Sequence, residues 1–469
     1  MGARFFGLIG TLIVTRFVTP DAYGAVTIAA VLVMTANQLS SVGLGQYLVS
    51  RHTASRPAAF HATLIHVALG VVALTLLLLE GRRLGLALDV PGMKQFLPGL
   101  VVSALVDRVA FVPERVLVRE LRFGIVGTGR TAGELVYSAG CIALAASGAG
   151  AMAIVLGNVA RSLVRATVFI SAADSRDWLE PCRLSFAKVQ EMLRFGVPIA
   201  LGALCSFASR RWDNLLVSRY FGSGPAGMYN LAYNLADVPA IHVGEQVGDV
   251  LLPSFARMDA EHRPAALARS VTLLALVVFP LAIGLGAVAP TVVAALFDPH
   301  WQPIGPMLVI LSALSVARPI GWTIASYLQA RHLPGLILAL EVLKLAIMML
   351  FIVILGSRSP AWTCVCVGIA FGAHAVASLL IVQRLDGMPV APLLLSLARV
   401  LAACGPMVAA VLGMRFLLDR VAPMPAAIEL IIETIVGILV YPPCALLLCG
   451  VSARDLVRRV VDAVRPATR

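Results

Sequence analysis

The residues best suited to chemistry in this sequence are charged side chains set inside long apolar runs. In the run 196–218, Arg210, Asp213 and Asn214 stand at i, i+3 and i+4 and share one helical face, while Arg211 points about 100° away. Arg210 lies about 21 Å from the start of that run at ~1.5 Å per residue, close to the middle of a bilayer. Asp107 and Arg108 fall in the run 96–114, and Arg318 directly precedes Pro319, where a kink is expected in the run 304–328. An ionisable group at such depth costs on the order of 3 kcal/mol or more, which makes each a functional candidate. Arginine offers a permanent charge and planar, bidentate donors, the equipment for holding an anion where the dielectric is low. The competing expectation is local pairing, Arg108 with Asp107 and Arg210 with Asp213.

Acidic and polar groups in the same runs could couple to an ion. Asp237 and Glu245, with His242 between them in the run 226–252, are placed for a proton or sodium relay, and Asp107, Asp213 and Asn214 are further cavity candidates. Structural pairing accounts for them equally well. Glu341 and Lys344, at i and i+3, read as an internal ion pair. Glu429 and Glu433 sit near the outer end of the last run, and His61, His66 and His374 read as satisfied bundle residues. Arg16 and Arg219 end their runs, where snorkelling to the interface or a periplasmic gate would each place an arginine. The eight cysteines show no metal spacing and no phosphate-binding glycine loop of the Walker type is present, so neither metal nor cofactor is expected and ATP is not the direct fuel.

The elements that must position these groups are transmembrane helices. Of 469 residues, 59% are hydrophobic and 13% charged, with a mean hydropathy of +0.90. A soluble domain carries about 25% charged residues, and one this apolar could not cover its own surface. Apolar runs long enough to cross a hydrocarbon core recur along the chain without the short alternating strands of an outer-membrane barrel, which leaves helices as the spanning solution. Fourteen spans are expected, near 3–18, 24–49, 58–79, 96–114, 130–147, 150–172, 196–218, 226–252, 267–296, 304–328, 334–356, 360–383, 392–417 and 427–450. The first is short for a crossing and is expected either to lack a preceding segment or to begin inside its helix; it carries no cleavable signal.

Charge asymmetry orients the chain. With both termini cytoplasmic, 22 of the 37 basic residues fall in cytoplasmic segments and 7 in outer loops. The net charge of +12 is therefore a topology signal, not a nucleic-acid footprint. The stretch 173–195 reads as an amphipathic segment along the cytoplasmic interface, and the arginine-rich tail "RDLVRRVVDAVRPATR" reads the same way, against an anionic leaflet.

The chain also repeats itself. "LIVTRFVTPDAYGAVTIA" (12–29) aligns without a gap to "LLVSRYFGSGPAGMYNLA" (215–232), an offset of 203, which sets Arg16 on Arg219 and Gly24 on Gly227. "RPAAF" (56–60) matches "RPAAL" (263–267) further along. An offset of six helices is even, so the two halves share one orientation, the arrangement of lobes that rock about a central site. The fold expected is all-α: two parallel-repeat six-helix lobes, 1–172 and 196–383, joined by the linker 173–195 and followed by a helix pair and basic tail over 384–469.

At these residues the chain resembles the polysaccharide-transporter branch of the multidrug/oligosaccharidyl-lipid/polysaccharide exporter superfamily, the Wzx-type flippases. The likeness is carried by "TRFVTPDAYG" (15–24), by "LSFAKVQEMLRFGVPIALGALCSFASRRWDNLLVSRYFGSGPAGMYNLAYNLADVP" (184–239), and by "VLLPSFARMDAEHR" (250–263) with "PLAIGLGAVAPTVVAALFDPHWQPIGPMLVILSAL" (280–314). The "TP-x-x-YG" and "DNLLV…GMYNLAYNL" forms look most like exopolysaccharide flippases of the colanic or xanthan type. The resemblance implies an inner-membrane carrier, not an enzyme, that moves a polyprenyl-diphosphate oligosaccharide to the periplasmic leaflet by alternating access. Its partners would be that lipid-linked sugar, the bilayer, and the polymerase and export machinery. Arg210, Arg211, Arg318 and Arg108 would then line a cavity that meets the diphosphate. A small-molecule exporter of the same superfamily is the alternative, although an arginine-rich cavity repels cationic drugs. A membrane glycosyltransferase or polymerase fits less well, because the longest outer loop, about 80–95, is small and holds no paired carboxylates.

Overall fold

The computed structural model describes residues 10, 12–50, 56–240, 244, 246–421 and 424–464, and the regular structure among them is helical with no strand. Eleven helices among the described residues are long and apolar enough to cross a membrane. Of the other three expected spans, 3–18 lies largely outside the described residues. The span 96–114 is a helix that carries Asp107, Arg108 and Glu114. The span 226–252 is described as two helices, Ser223–Ala240 and Gln246–Arg257.

Two compact units divide the chain, residues 1–230 and 231–469. The first contains α1 (Pro20–Leu39), α2 (Leu44–Ser50), α3 (Arg56–Ala87), α4 (Leu97–Arg119), α5 (Phe123–Leu144), α6 (Met152–Ala172), α7 (Phe186–Phe221) and the start of α8 (Ser223–Ala240). Helix α6 packs along α4 and α5, α3 lies against α4, and α1 and α2 lie against α7. Local chemistry sets the ends: Thr19 caps α1 by accepting from the Ala22 amide at 3.4 Å, Pro20 fits the first turn, and Asp21 faces the positive end of the helix.

The single span expected at 24–49 is corrected here. The chain leaves α1 at Leu39, turns through Val42 (φ 40°) and Gly43 (φ 69°), and restarts as α2. Gly43 is required twice over, by its left-handed backbone and because a Cβ there would stand 2.1 Å from the Gly196 carbonyl oxygen of α7. The linker 173–195 contains a helical turn at Arg176–Leu179 and the start of α7 at Phe186. Trp178 is buried, and Arg56 pairs with Asp177 at 3.1 Å and Glu180 at 3.3 Å.

The second unit contains the rest of α8, α9 (Gln246–Arg257), α10 (Arg263–Leu296), α11 (Ile304–Leu314), α12 (Arg318–Ala330), α13 (Pro334–Ile354), α14 (Pro360–Asp386), α15 (Val390–Val421), α16 (Ala426–Leu448) and α17 (Gly450–Val464). Helices α15 and α16 pack together and against α10, while α14 packs against α11 and α13. The kink expected before Pro319 is a 3-10 turn over Ser315–Ala317 that separates α11 from α12. Gly387 (φ 64°) ends α14 in the left-handed conformation. The tail helix α17 is tied to α10 by Arg269 and Asp455, 2.7 Å apart.

The apolar faces fix the environment. Val72, Leu76 and Leu79 on α3 and Ile431, Ile435 and Ile438 on α16 form exposed stripes at helical spacing. Such stripes are stable only with lipid tails as the solvent, so this is a multi-pass membrane protein.

Candidate functional site

Helix α4 carries the densest charge inside a span, and the structure gathers it into one cavity of about 360 Å³ in the first unit, with walls from α1 to α6. Arg108, only 2% exposed, does not pair with Asp107. Its Nε donates to Asn37 Oδ1 at 2.7 Å, its Nη1 to the His66 carbonyl at 2.6 Å, and its Nη2 to the Asn37 carbonyl at 2.7 Å and to the Ser40 hydroxyl. Gly70 makes this possible. A Cβ there would stand 2.1 Å from Arg108 Cδ and 2.5 Å from Cζ, so the guanidinium lies flat on the backbone of α3. Arg108 therefore stitches α4 to α1 and α3 through neutral oxygens.

The carboxylates of α4 are used elsewhere. Asp107 lies 3.7 Å from Arg165 of α6. Glu114, one heptad on and buried, accepts two bonds from Arg130 of α5, at 2.9 and 2.6 Å, and stands 3.9 Å from Arg165. Arg115 instead lies over the Phe111 ring at 5.0 Å, and the His66 imidazole stacks on the same ring at 4.2 Å. None of Arg115, Arg130 and Arg165 is among the residues singled out from the sequence, and the cluster was missed there. The available signal was the heptad spacing of Asp107 with Glu114 and of Arg108 with Arg115, which extends one charged stripe along α4.

Helix α7 keeps its face but not its expected pairing. Asp213 and Asn214 are fully buried. The Asp213 carboxylate accepts from the Tyr229 hydroxyl at 2.6 Å and from the backbone and side-chain nitrogens of Asn214, both at 2.9 Å. Asn214 in turn accepts from Asn230 at 3.1 Å. Arg210 makes no ion pair with Asp213; it is exposed, with Nε donating to the Ser206 carbonyl at 3.3 Å. Arg211 faces a second cavity, of about 180 Å³, beside Tyr23, Tyr137 and Asn158.

At one end of this unit the two repeats touch. Pro20 opens α1 and Ser223 opens α8, 203 residues apart, the repeat offset itself. The repeat-equivalent glycines face each other: a Cβ on Gly24 would meet the Ser223 carbonyl oxygen at 1.8 Å, and one on Gly227 the Gly24 nitrogen at 2.8 Å. Ser223 also donates to Asp21 at 2.9 Å. Arg16 and Arg219 are exposed and make no ion pair among the described residues.

In the second unit Arg318 and Asp237 form a buried ion pair. The Arg318 guanidinium is held between the rings of Tyr233, at 4.7 Å, and Phe371, at 4.6 Å. Lys344 approaches Phe371 at 5.1 Å and pairs with Glu341 at 2.8 Å, as its spacing predicts. Glu433 is buried and bonded by Arg415 at 2.7 Å. His242 and Glu245 lie outside the described residues. Among the described residues, no group of His, Cys, Asp and Glu is arranged to hold a metal ion.

Residues 13–306 match the family model described as polysaccharide biosynthesis protein. The lipopolysaccharide biosynthesis protein WzxC of Escherichia coli K12 is 26% identical over 76% of this chain and 72% of its own. The succinoglycan biosynthesis transport protein ExoT of Rhizobium meliloti is 25% identical over 98% of this chain and 92% of its own. Among solved structures, an inward closed conformation of the lipid II flippase MurJ superposes with a TM-score of 0.77 at 14% identity, covering 97% of this chain and 98% of that one. An inward-facing multidrug-resistance MATE transporter gives 0.65 at 14% identity, covering 82% and 94%. At such identities these last two share the fold.

Proposed function

Because the chain belongs to the polysaccharide biosynthesis protein family, in the Wzx-type branch of the multidrug/oligosaccharidyl-lipid/polysaccharide exporter superfamily, we propose that it flips polyprenyl-diphosphate-linked sugar repeats. Transport would run from the cytoplasmic to the periplasmic leaflet of the inner membrane, with both termini cytoplasmic, by alternating access. The observation that carries this reading is chemical: α7 holds Arg210 exposed at mid-span and without an ion pair to the neighbouring Asp213, which Tyr229 and Asn214 engage, while Arg211 borders a cavity. Two permanent cations of this kind suit the diphosphate that links sugar to lipid. The polyprenyl tail would stay in the bilayer.

The remaining candidates take different parts in this proposal. Arg108 and Arg318 are held by neutral oxygens and by Asp237 respectively, so they serve the scaffold around the path more than the diphosphate itself. Asp213, buried and engaged by Tyr229 and Asn214, would take up a coupling cation, and Asp237 could join it only by releasing Arg318. Direction would come from that cation or from the membrane potential, worth about 2.3 kcal/mol per charge per 100 mV. WzxC and ExoT, which carry lipopolysaccharide and succinoglycan biosynthesis in their names, support a polysaccharide precursor as the cargo.

The test is a vesicle assay with a fluorescent polyprenyl-diphosphate oligosaccharide. Arg210→Gln with Arg211→Gln is expected to lower the flipping rate at least about tenfold, the loss of roughly one charge-assisted contact, while membrane insertion is unchanged. Full transport by that double variant would refute the site assignment.

A further inference from the structure

The α4 cavity holds more positive charge than its own carboxylates balance. Arg108, Arg115, Arg130 and Arg165 face Asp107 and Glu114, an excess of two. Arg130 and Arg165 are committed to those carboxylates and Arg108 to neutral oxygens. Arg115 is different. Its guanidinium has the Phe111 ring beneath it and neither a hydrogen bond nor an ion pair among the described residues. Three buried polar atoms without a partner border this one cavity: His66 Nδ1, Arg115 Nε and Arg165 Nε. Burying polar atoms in this way is costly unless a ligand or solvent meets them. The space, far larger than the ~30 Å³ share of one water, is roomy enough for a hydrated anion.

We propose that this cavity is an anion site for a phosphate or diphosphate group, with Arg115 as its principal ligand and His66 and Arg165 completing it. Arg115 has the geometry for the task. Phe111, stacked by His66 on one side, fixes the plane of the guanidinium, so a planar pair of N–H donors is presented in a set orientation. Gly45 leaves the approach open: a Cβ there would lie 2.6 Å from Phe111 Cζ and 3.2 Å from Arg115 Nε. Depth also fits. Arg115 stands five residues before the α4 C-cap at Glu120, roughly 7.5 Å inside the helix end, where a headgroup phosphate can reach while its acyl or prenyl chain remains in the bilayer. Charge asymmetry assigns that end to the cytoplasm, the side on which a lipid-linked precursor would be received. That the anion is borne by a lipid rests on the transport reading; that the cavity binds an anion does not.

The experiment is isothermal titration of the purified full chain in detergent with two probes, inorganic diphosphate and farnesyl diphosphate. Wild type is expected to bind, Arg115→Gln to weaken binding at least about tenfold, and Arg115→Lys to keep part of it, since a point charge survives without the bidentate fork. Arg83→Gln, an exposed charge outside both the α4 cavity and the α7 site, is expected to leave these titrations unchanged. Thermal melting of each variant verifies that it is folded. Binding of both probes identifies the shared diphosphate as what is recognised, and binding of inorganic diphosphate alone assigns the site to a soluble anion. Absence of binding by wild type, or equal affinities for wild type and a folded Arg115→Gln, overturns the proposal. A chain that binds diphosphate through Arg115 yet flips no lipid-linked sugar would leave the anion site standing and refute the transport reading.

Discussion

Arg108 shows what a buried arginine can do without a carboxylate. All three of its guanidinium nitrogens meet neutral acceptors on α1 and α3, and Gly70 gives the side chain the room to reach them. Gly70→Ala is accordingly expected to destabilise the first unit by about 1–3 kcal/mol, the usual cost of overpacking, read as a lower midpoint of thermal unfolding in detergent. An unchanged midpoint would show that Arg108 is not held as described. Arg115, one heptad further on, has identical chemistry and no such acceptors among the described residues. The contrast between these two arginines lies in their neighbours on other helices, which is why the sequence singled out Arg108 as a charge inside a span and passed over Arg115.

Two features belong to the helices as units. The starts of α1 and α8, equivalent under the internal repeat, touch through Gly24 and Gly227, at the end that the proposed orientation turns toward the periplasm. Where alternating access operates, this is a point at which the outer path closes. Gly24→Val and Gly227→Val should each hold the helix starts apart and lower transport severalfold, with the protein still folded. A cysteine placed at Arg219 in those variants should label faster from outside; unchanged labelling and transport would remove the gate. The second feature is the tail helix α17. Arg269 and then Arg459 hold the Asp455 carboxyl below its usual range. A depressed carboxylate contributes docking that is present at neutral pH, above its ordinary value, and is lost as pH falls through the lowered one. Asp455→Asn should therefore speed amide exchange across 450–464 at pH 7, and lowering the pH below about 4 should do the same to wild type but not to the variant.

For the whole molecule, the polarity of its surfaces agrees with its placement in a bilayer. Exposed Leu, Ile and Val stripes cover the outer faces of α3 and α16, and buried charges of the second unit are matched, Arg318 by Asp237 and Arg415 by Glu433. The Arg210 and Arg211 titration of transport belongs to this scale, because it asks whether the folded chain moves an anionic lipid. A carrier whose moving charge crosses the field should also slow when the membrane potential is dissipated; identical rates in polarised and depolarised vesicles would assign direction to something other than voltage.

Much of this was legible in the residues alone. Hydropathy is a local property, so the helical membrane fold, nearly all of the span positions and the break before Pro319 followed from runs and breakers. The 203-residue offset followed from self-similarity, and the pair Glu341 and Lys344 from i, i+3 spacing on one helix. What required tertiary structure was every relation that depends on how one helix is rotated against another. The turn through Val42 and Gly43 is set by the approach of α7, although apolar residues on both sides read as one span. Asp213 is engaged by Tyr229 rather than Arg210, Arg318 by Asp237, and Glu114 by Arg130, each partner 16 or more residues away in the chain. Spacing along the chain sets which residues share a face; only packing decides what that face meets, and so that Arg108 is spent on neutral oxygens and Arg318 on Asp237.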